Sequence, residues 1–412
     1  MNAIDGFSNH GPVTPLNTDA SLQATQIEFD LHGLVGIRLV DPTPRDIAAV
    51  ARQLGVVRTP LSREPDITLR FVERLVTPPL RHLGFRKLGF NDNALFILED
   101  GGNGGKARLP FTQLGRKCEI VCESGLQSVP LLKPIVALTA QTKGFACVHA
   151  SAFMRNGVGV VMAGWAESGK TTALLGFAAR GAELIGEDCV LVSRDGKQMC
   201  GLPTMIELST SHLETLPDIR RRVKRSRLLA LRALRRLRTM QDARQHWRNR
   251  RTSLGKLFRR ILASLEERAY PTVAPQAIFG KHLGPLAGRP DKVFLLVSHD
   301  EPWVEVRPIP SSEMALRLAH LAQHEQLPLW EHYLAFKFAF PEAVNPNIER
   351  SFHAQHEILS QALAGKDTYT VWHPYPLAFS DLYQEIEPLV RQTVSRPLLV
   401  PPHGVAQVVP GT

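Results

Sequence analysis

The sequence predicts an α/β fold, because short apolar strands alternate with helical segments along most of the chain. The clearest unit lies near the middle. Residues 158–163 form an apolar run typical of a buried strand, and residues 171–180 are rich in Ala and Leu, with Gly181 at the C-cap position. A glycine-containing loop joins the two. The order strand, loop, helix indicates the α/β class.

The N-terminal region, residues 22–144, is predicted to be an α/β accessory domain that follows a loose tail at 1–21. Its expected elements are, in order, strands 26–31 and 35–39, a helix 43–55, strands 94–99 and 106–114, a strand 118–122 and a helix 130–142. The helix at 43 has a capping threonine, a proline in its first turn and a following acid. The glycine-rich stretch 100–105 precedes a strand and not a helix, so we interpret it as a turn.

A tight hairpin is predicted before the central loop. The dipeptide Asn156-Gly157 is a strong hairpin signal between a strand at 147–153 and the strand at 158–163. Counting outward from a two-residue turn places His149 opposite Gly164. A histidine in a strand is often only structural, but this register favours a functional role.

The loop has the Walker A pattern G-x-x-x-x-G-K-T, spelled Gly164-Trp165-Ala166-Glu167-Ser168-Gly169-Lys170-Thr171. Its glycines let backbone N–H groups turn toward phosphates, and the helix N-terminus adds partial positive charge. The pattern predicts that Lys170 reaches the outer phosphates of a nucleotide and that the Thr171 hydroxyl ligates Mg²⁺. Thr172 completes the predicted nucleotide-binding set. A glycine turn that contains a lysine by chance is the alternative, which the flanking strand and helix disfavour.

Two carboxylates are expected to return to this loop. The helix that begins at Lys170 advances about 16 Å at ~1.5 Å per residue, and the strand 182–186 returns a similar distance at ~3.3 Å per residue. A right-handed crossover therefore brings Glu187 and Asp188 level with the loop. Adjacent carboxylates can divide the work, since one can hold Mg²⁺ while the other takes a proton from an attacking hydroxyl. An ordinary polar strand end is the alternative interpretation.

These residues resemble the catalytic domain of bacterial HPr kinase/phosphorylase in order and spacing. The resemblance covers about residues 147–193 and includes Arg180-Gly181 besides the histidine, the loop and the acidic pair. It implies a phosphoenolpyruvate-carboxykinase-like fold, the use of ATP and Mg²⁺, and phosphorylation of a serine hydroxyl on a partner protein. It also implies that Glu187 is the base, that Asp188 helps to hold the metal, and that His149 supports the transfer centre with Lys170.

Three departures mark the chain as a divergent member of that family. The family carries Asp where this chain has Glu187, and typically an acidic residue where it has Thr172. The arginine- and glycine-containing loop of the reverse, phosphorolytic reaction has no convincing counterpart. HPr itself is therefore not assumed to be the substrate.

Composition agrees with an ordinary globular protein. The 412 residues suffice for two domains, and 44% are hydrophobic. No apolar run approaches the ~20 residues of a membrane span, and the N-terminus lacks the pattern of a secretory signal. Five cysteines leave an odd one and suggest no disulfide framework. We therefore expect a cytoplasmic protein without a transmembrane segment.

A basic helical insertion is predicted at 220–268. Residues 220–260 contain 17 Lys and Arg against one acid, Asp242, so this segment accounts for the net charge of +10. It is a candidate for binding an acidic protein or peptide, or an anionic lipid surface. Nucleic acid is the least favoured partner, because no interleaved aromatic series is present to stack bases. A passive helical hairpin is the remaining alternative.

The C-terminal third is expected to complete a nucleotide-binding domain at 145–396, followed by a loose tail at 397–412. The whole sequence thus predicts an ATP- and Mg²⁺-dependent kinase whose acceptor is a hydroxyl of a protein, a peptide or a small molecule. Peptide acceptors occur in similar lasso-peptide-modifying kinases. One alternative is an inactive, nucleotide-dependent regulatory protein. Another is an ATPase that acts on nucleic acid through the basic insertion. The oligomeric state is left open.

Overall fold

In the computed structural model, the chain has a mixed α/β fold with several sheets. The structure describes residues 26–55, 60–84, 87–98, 105–208, 212–213, 220–221, 225, 228–229, 271–280, 283–375 and 377–391. The predicted tails, 1–21 and 397–412, lie outside the described residues, and so do residues 22–25 of the predicted accessory domain. Of the predicted basic insertion, only residues 220–221, 225 and 228–229 are described.

The N-terminal sheet has eight strands in the spatial order β1-β2-β3-β8-β7-β6-β5-β4. In chain order these are β1 (Gln26–Leu31), β2 (Val35–Val40), β3 (Ile67–Val72), β4 (Arg81–Leu83), β5 (Leu88–Phe90), β6 (Leu95–Ile97), β7 (Ala107–Leu109) and β8 (Cys118–Glu123). The expected strands at 94–99 and 106–114 are thus shorter than predicted. The predicted start of the first helix is confirmed, because Thr43 and Asp46 form a reciprocal capping box.

Three further sheets follow. Their strands are β9 (Phe145–Val148), β10 (Ala150–Arg155), β11 (Val158–Ala163), β12 (Glu183–Gly186), β13 (Val190–Ser193), β14 (Met199–Gly201), β15 (Ile206–Glu207), β16 (Thr272–Val273), β17 (Ala287–Gly288), β18 (Lys292–His299), β19 (Glu305–Pro308) and β20 (Asp367–Pro374). The central sheet has the order β12-β10-β11-β18-β20-β19, a second has the order β17-β14-β13-β9, and β15 pairs with β16. Strands β11, β18 and β20 are parallel, so their carboxyl ends meet at one edge of the central sheet.

The described helices are α1 (Pro44–Leu54), α2 (Leu132–Thr142), α3 (Lys170–Ala178), α4 (Pro275–Phe279), α5 (Ser311–Glu325), α6 (Leu327–Ala339), α7 (Pro346–Glu349), α8 (Ser351–Ala362) and α9 (Phe379–Arg391). The sequence of residues 347–364 predicts one helix, but the structure has two, α7 and α8, because the chain leaves helical geometry at Arg350. None of the described helices combines the length and the apolar composition that a membrane span requires.

Helices cover both faces of the central sheet. One face packs against α3 and α9, and the other packs against α5 and α8. The strand residues alternate between the two cores: Val160 and Met162 of β11 contribute to the first core, and Val161 and Ala163 contribute to the second. Burial on both faces explains why β11 is a continuous apolar run in the sequence.

The N-terminal sheet shares its core with later parts of the chain. Phe29 and Ile120 of this sheet belong to the same buried cluster as Leu191 of β13 and as Tyr333 and Phe336 of α6. The predicted boundary at 144/145 falls between α2 and β9, and both elements contribute to this cluster. The two predicted domains are therefore in direct contact through apolar side chains.

Asn345 secures this shared core. Its side chain is fully buried and donates to the carbonyl oxygens of Phe111 at 2.6 Å and Leu114 at 2.9 Å. Its Oδ1 accepts from Asn347 N as the N-cap of α7, and its own backbone N–H donates to the Tyr333 hydroxyl. One side chain thus connects the N-terminal region to the C-terminal helices.

We predict that Asn345→Ala lowers the free energy of unfolding by about 3 kcal/mol, because it removes a helix cap, takes the Asn345 donor from the buried Phe111 carbonyl, and leaves the Leu114 carbonyl with only the longer 3.3 Å hydrogen bond from Asn347. Urea unfolding followed by circular dichroism measures this change. Asn91→Ala is the matched control, since its side chain also accepts two backbone N–H groups but in a more exposed turn. A loss no larger than that of the control would contradict the role given to Asn345.

Candidate functional site

The glycine loop, residues 164–169, leaves β11 at the carboxyl edge of the central sheet and enters α3. A side chain at Gly164 would place its Cβ 2.4 Å from Ser168 Oγ and 2.8 Å from the carbonyl of Leu296. Gly169 has a φ of 87°, and a Cβ there would lie 2.6 Å from Leu377. Only glycine fits these two positions, and ligands of open α/β sheets bind at this kind of edge.

The predicted hairpin is confirmed, and it places His149 at the loop. Asn156 and Gly157 have φ values of 50° and 80°, as a two-residue turn requires, and the paired register runs out to Ala150 opposite Ala163. The strand expected at 147–153 is interrupted at His149, however. The chain changes sheets there, since β9 pairs with β13 whereas β10 pairs with β11.

The acidic pair lies at a matching change of sheet. Strand β12 pairs with β10 and therefore runs in the same direction as β11, with β10 between them. The chain then passes through Glu187 and Asp188 into β13, which pairs with β9. Both connections between the two sheets therefore meet beside the glycine loop, and this meeting brings the histidine and the carboxylates together.

Lys170 points back into the loop. Its Nζ donates to the carbonyl oxygens of Gly164 at 2.8 Å and Trp165 at 2.6 Å, and the residue is 7% exposed. Burial lowers the pKa of Lys170, while the nearby Glu187 and Asp188 oppose that change. The ammonium group therefore lies within the turn of backbone that an incoming anion would enter.

Glu187 contacts the first turn of α3. Its carboxylate accepts hydrogen bonds from the hydroxyls of Thr171 and Ser151, and Ser151 is fully buried. Burial raises the pKa of Glu187, and the two hydroxyl donors work against that rise. The Thr171 hydroxyl and a carboxylate are thus in direct contact beside Lys170.

Asp188 faces the other way. Its Oδ1 lies 3.2 Å from His149 Nδ1, and its Oδ2 accepts from Lys133 Nζ at 2.6 Å. Burial disfavours its charged form, but the donors His149 and Lys133 outweigh burial and hold the pKa of Asp188 well below its usual range. The residue has a φ of 74°, an uncommon value for a residue with a side chain.

The rim of the site includes the remaining loop residues. Trp165 is 54% exposed and packs edge-on against His324 at the end of α5. Glu325, next to it, lies 3.8 Å from His149 Nδ1. Ala166 and Glu167 form the exposed tip of the loop. The Ser168 hydroxyl is buried without a hydrogen-bond partner in the described part of the chain.

Among the described hydrogen bonds, the Thr172 hydroxyl contacts a histidine and neither carboxylate. Its Oγ1 lies 3.0 Å from His212 Nε2, and burial lowers the pKa of His212 to about 4. A histidine with this pKa is neutral at pH 7, so it contributes no positive charge for a phosphate. The side chain of Thr172 is thus engaged with His212.

The structure thus brings together Lys170, Thr171, His149 and both carboxylates, as the sequence predicts. It adds Ser151 and Lys133, which sequence reasoning did not identify. Ser151 lies two residues after His149 on β10, and this spacing alone gave no sign of a contact with Glu187. Across the described residues, no group of three or more His, Cys, Asp and Glu side chains is arranged to hold a metal ion.

The chain matches no model of a known protein family and no curated protein. Inferences about function therefore depend on the site itself.

Proposed function

We propose that this chain is an ATP- and Mg²⁺-dependent kinase with a phosphoenolpyruvate-carboxykinase-like P-loop domain of the HPr-kinase/phosphorylase type. It would transfer the γ-phosphate to a hydroxyl, foremost a serine of a protein or peptide. The observation that supports this most directly is the contact between the Thr171 hydroxyl and the Glu187 carboxylate, immediately beside the Lys170 ammonium. A hydroxyl, a carboxylate and a lysine at a glycine loop are the groups that P-loop enzymes use to bind a metal–nucleotide complex.

The glycine loop fits nucleotide phosphates. Its two constrained glycines keep side chains out of the turn, and the N-terminus of α3 directs unpaired N–H groups toward it. The buried Ser168 hydroxyl has a free hydrogen-bonding capacity at the same place. Lys170 can exchange two neutral carbonyl partners for a charged phosphate, to which its ammonium group is attracted by opposite charge as well as by hydrogen bonding.

The donors present also fit Mg²⁺. This ion prefers oxygen ligands and is commonly held by one or two carboxylates together with substrate phosphates, so a larger cluster of protein ligands is not needed. Thr171 and Glu187 would hold it. When bound, Mg²⁺ would neutralise the charge that develops on the phosphate oxygens.

The family resemblance implies that Glu187 is the base and that Asp188 helps to hold the metal. The geometry favours the opposite assignment of these two roles. Glu187 contacts the Thr171 hydroxyl, so we propose that Glu187 serves the metal. Asp188 is directed toward His149, so we propose that it orients the acceptor hydroxyl. The raised pKa of Glu187 would suit a base better than the lowered pKa of Asp188. We assign the roles by position, because a proton acceptor must first lie within reach of its donor.

Incubation with γ-labelled ATP and Mg²⁺, first alone and then with cell extract, tests this proposal. We expect a labelled product whose formation requires Mg²⁺ and is lost in Lys170→Ala. Tight binding of Mg-ATP without any transfer, to water or to an extract component, would favour the regulatory alternative and reject a kinase.

A further inference from the structure

Lys133 reaches the candidate site from the N-terminal region. It lies in the first turn of α2, and its Nζ is 2.6 Å from Asp188 Oδ2. His149 holds the other oxygen of the same carboxylate at 3.2 Å. Both oxygens of Asp188 are thus fixed, one by the N-terminal region and one by the connection between β9 and β10. Burial alone would lower the pKa of Lys133, but the Asp188 carboxylate raises it. Lys133 and Asp188 therefore form an ion pair of an ammonium group with a carboxylate.

The local backbone does not favour a lysine at this position. A cation in the first turn of a helix is opposed by the helix dipole. The N-cap of α2, Leu131, has a left-handed φ of 58° and provides no side-chain cap. Asp188 is also left-handed, with a φ of 74°. Backbone conformations of this kind persist where the surroundings impose them, and they are concentrated at functional sites.

The opposite end of α2 provides a comparison. Lys143, its C-cap residue, forms an ion pair of the same length with Asp66, 2.6 Å, and there the helix dipole favours a cation. Lys143 already tethers the helix to the N-terminal sheet, since Asp66 directly precedes β3. The Lys133–Asp188 ion pair, at the N-terminal end of α2 where the helix dipole opposes a cation, is therefore not needed to hold the helix in place and needs another explanation.

We infer that Lys133 is a positioning residue that holds the Asp188 carboxylate turned away from Thr171 and available to the acceptor hydroxyl. This inference rests on the proposed function. It makes the N-terminal region a contributor to the transfer site. Only Lys133 of that region contacts the two carboxylates through a described ion pair or hydrogen bond.

The test is single-turnover release of labelled phosphate from Mg-ATP with water as the acceptor, together with calorimetric binding of Mg-ADP. Because Asp188 would be misplaced while the metal side is untouched, Lys133→Met should slow phosphate release about 10- to 100-fold. Its affinity for Mg-ADP should stay within about threefold of the parent. Lys133→Arg should retain most of the rate, since it keeps the charge. If the Met variant unfolds, Lys133→Gln allows the same measurement with a neutral but polar side chain.

Lys143→Met is the matched control, since it removes an ion pair of equal length from the same helix. It should lower stability without changing either measurement. In an Asp188→Asn background, Lys133→Met should cause no further loss of rate, because a residue that acts through Asp188 has nothing left to position.

Parent-like phosphate release by both Lys133→Met and Lys133→Gln would overturn the inference and leave the proposed function intact. An equal loss of rate in Lys143→Met would also overturn it, because the effect would then be general destabilisation. If the parent protein binds Mg-ADP but releases and transfers no phosphate, the proposed function itself is rejected, and this inference is rejected with it.

Discussion

Lys170→Ala should lose most of its affinity for Mg-ATP while the fold remains intact. The ammonium group lies in the glycine loop, where its present partners are two backbone carbonyls. A hydrogen bond to a charged group contributes about 1.5–3 kcal/mol, so its removal should weaken binding roughly 10- to 100-fold. Calorimetric titration with Mg-ATP measures the affinity, and thermal unfolding without nucleotide measures the fold.

Two controls make this result specific. Lys170→Arg keeps the charge and should bind more tightly than the alanine variant. Lys197→Ala removes a lysine whose side chain is 82% exposed, away from the loop, and should bind Mg-ATP like the parent. If Lys170→Ala binds as tightly as the parent, the glycine loop is not a phosphate site and the kinase proposal fails at its first step.

The elements next to this lysine could be predicted because their signals are local. Asn156-Gly157 specifies a two-residue turn whichever sheet the strands join, and the pairing follows from that turn. The crossover could be predicted from lengths alone, since a helix and a strand of known rise must return Glu187 to the loop. The capping box at Thr43 is equally local, because its two partners are three residues apart.

The contacts that complete the site could not be predicted in this way. Lys133 meets Asp188 across 55 positions of the chain, because α2 packs on a core shared by the N-terminal sheet and α6. The break at His149 was missed because each half of the run 147–153 is apolar enough for a strand. The partner that separates the halves, β13, lies some forty residues later in the chain. Such placements depend on tertiary packing and not on local sequence preference.

Glu187→Gln and Asp188→Asn should separate metal binding from phosphoryl transfer. Glu187 contacts the Thr171 hydroxyl, so Glu187→Gln should weaken the Mg²⁺-dependent part of the nucleotide affinity about tenfold or more. Turnover should fall with it. Asp188 is held by His149 and Lys133 on the other side. The Asp188→Asn variant should therefore bind Mg-ADP nearly as tightly as the parent does. It should transfer phosphate about 10²–10⁴-fold more slowly, which is the usual range for the loss of a proton acceptor.

Calorimetry with ADP in the presence of Mg²⁺ and of a chelator measures the metal-dependent affinity, and single-turnover transfer measures the chemical step. Ser151→Ala is the control, because it removes a donor to Glu187 without changing either carboxylate. It should weaken metal-dependent binding less than Glu187→Gln does. The opposite pattern, with intact Mg²⁺-dependent binding in Glu187→Gln and weakened binding in Asp188→Asn, would restore the division implied by the family resemblance. Full transfer activity in both variants would instead show that neither carboxylate takes part in the reaction, since neither a metal ligand nor a proton acceptor can be replaced by a neutral amide without a loss of rate.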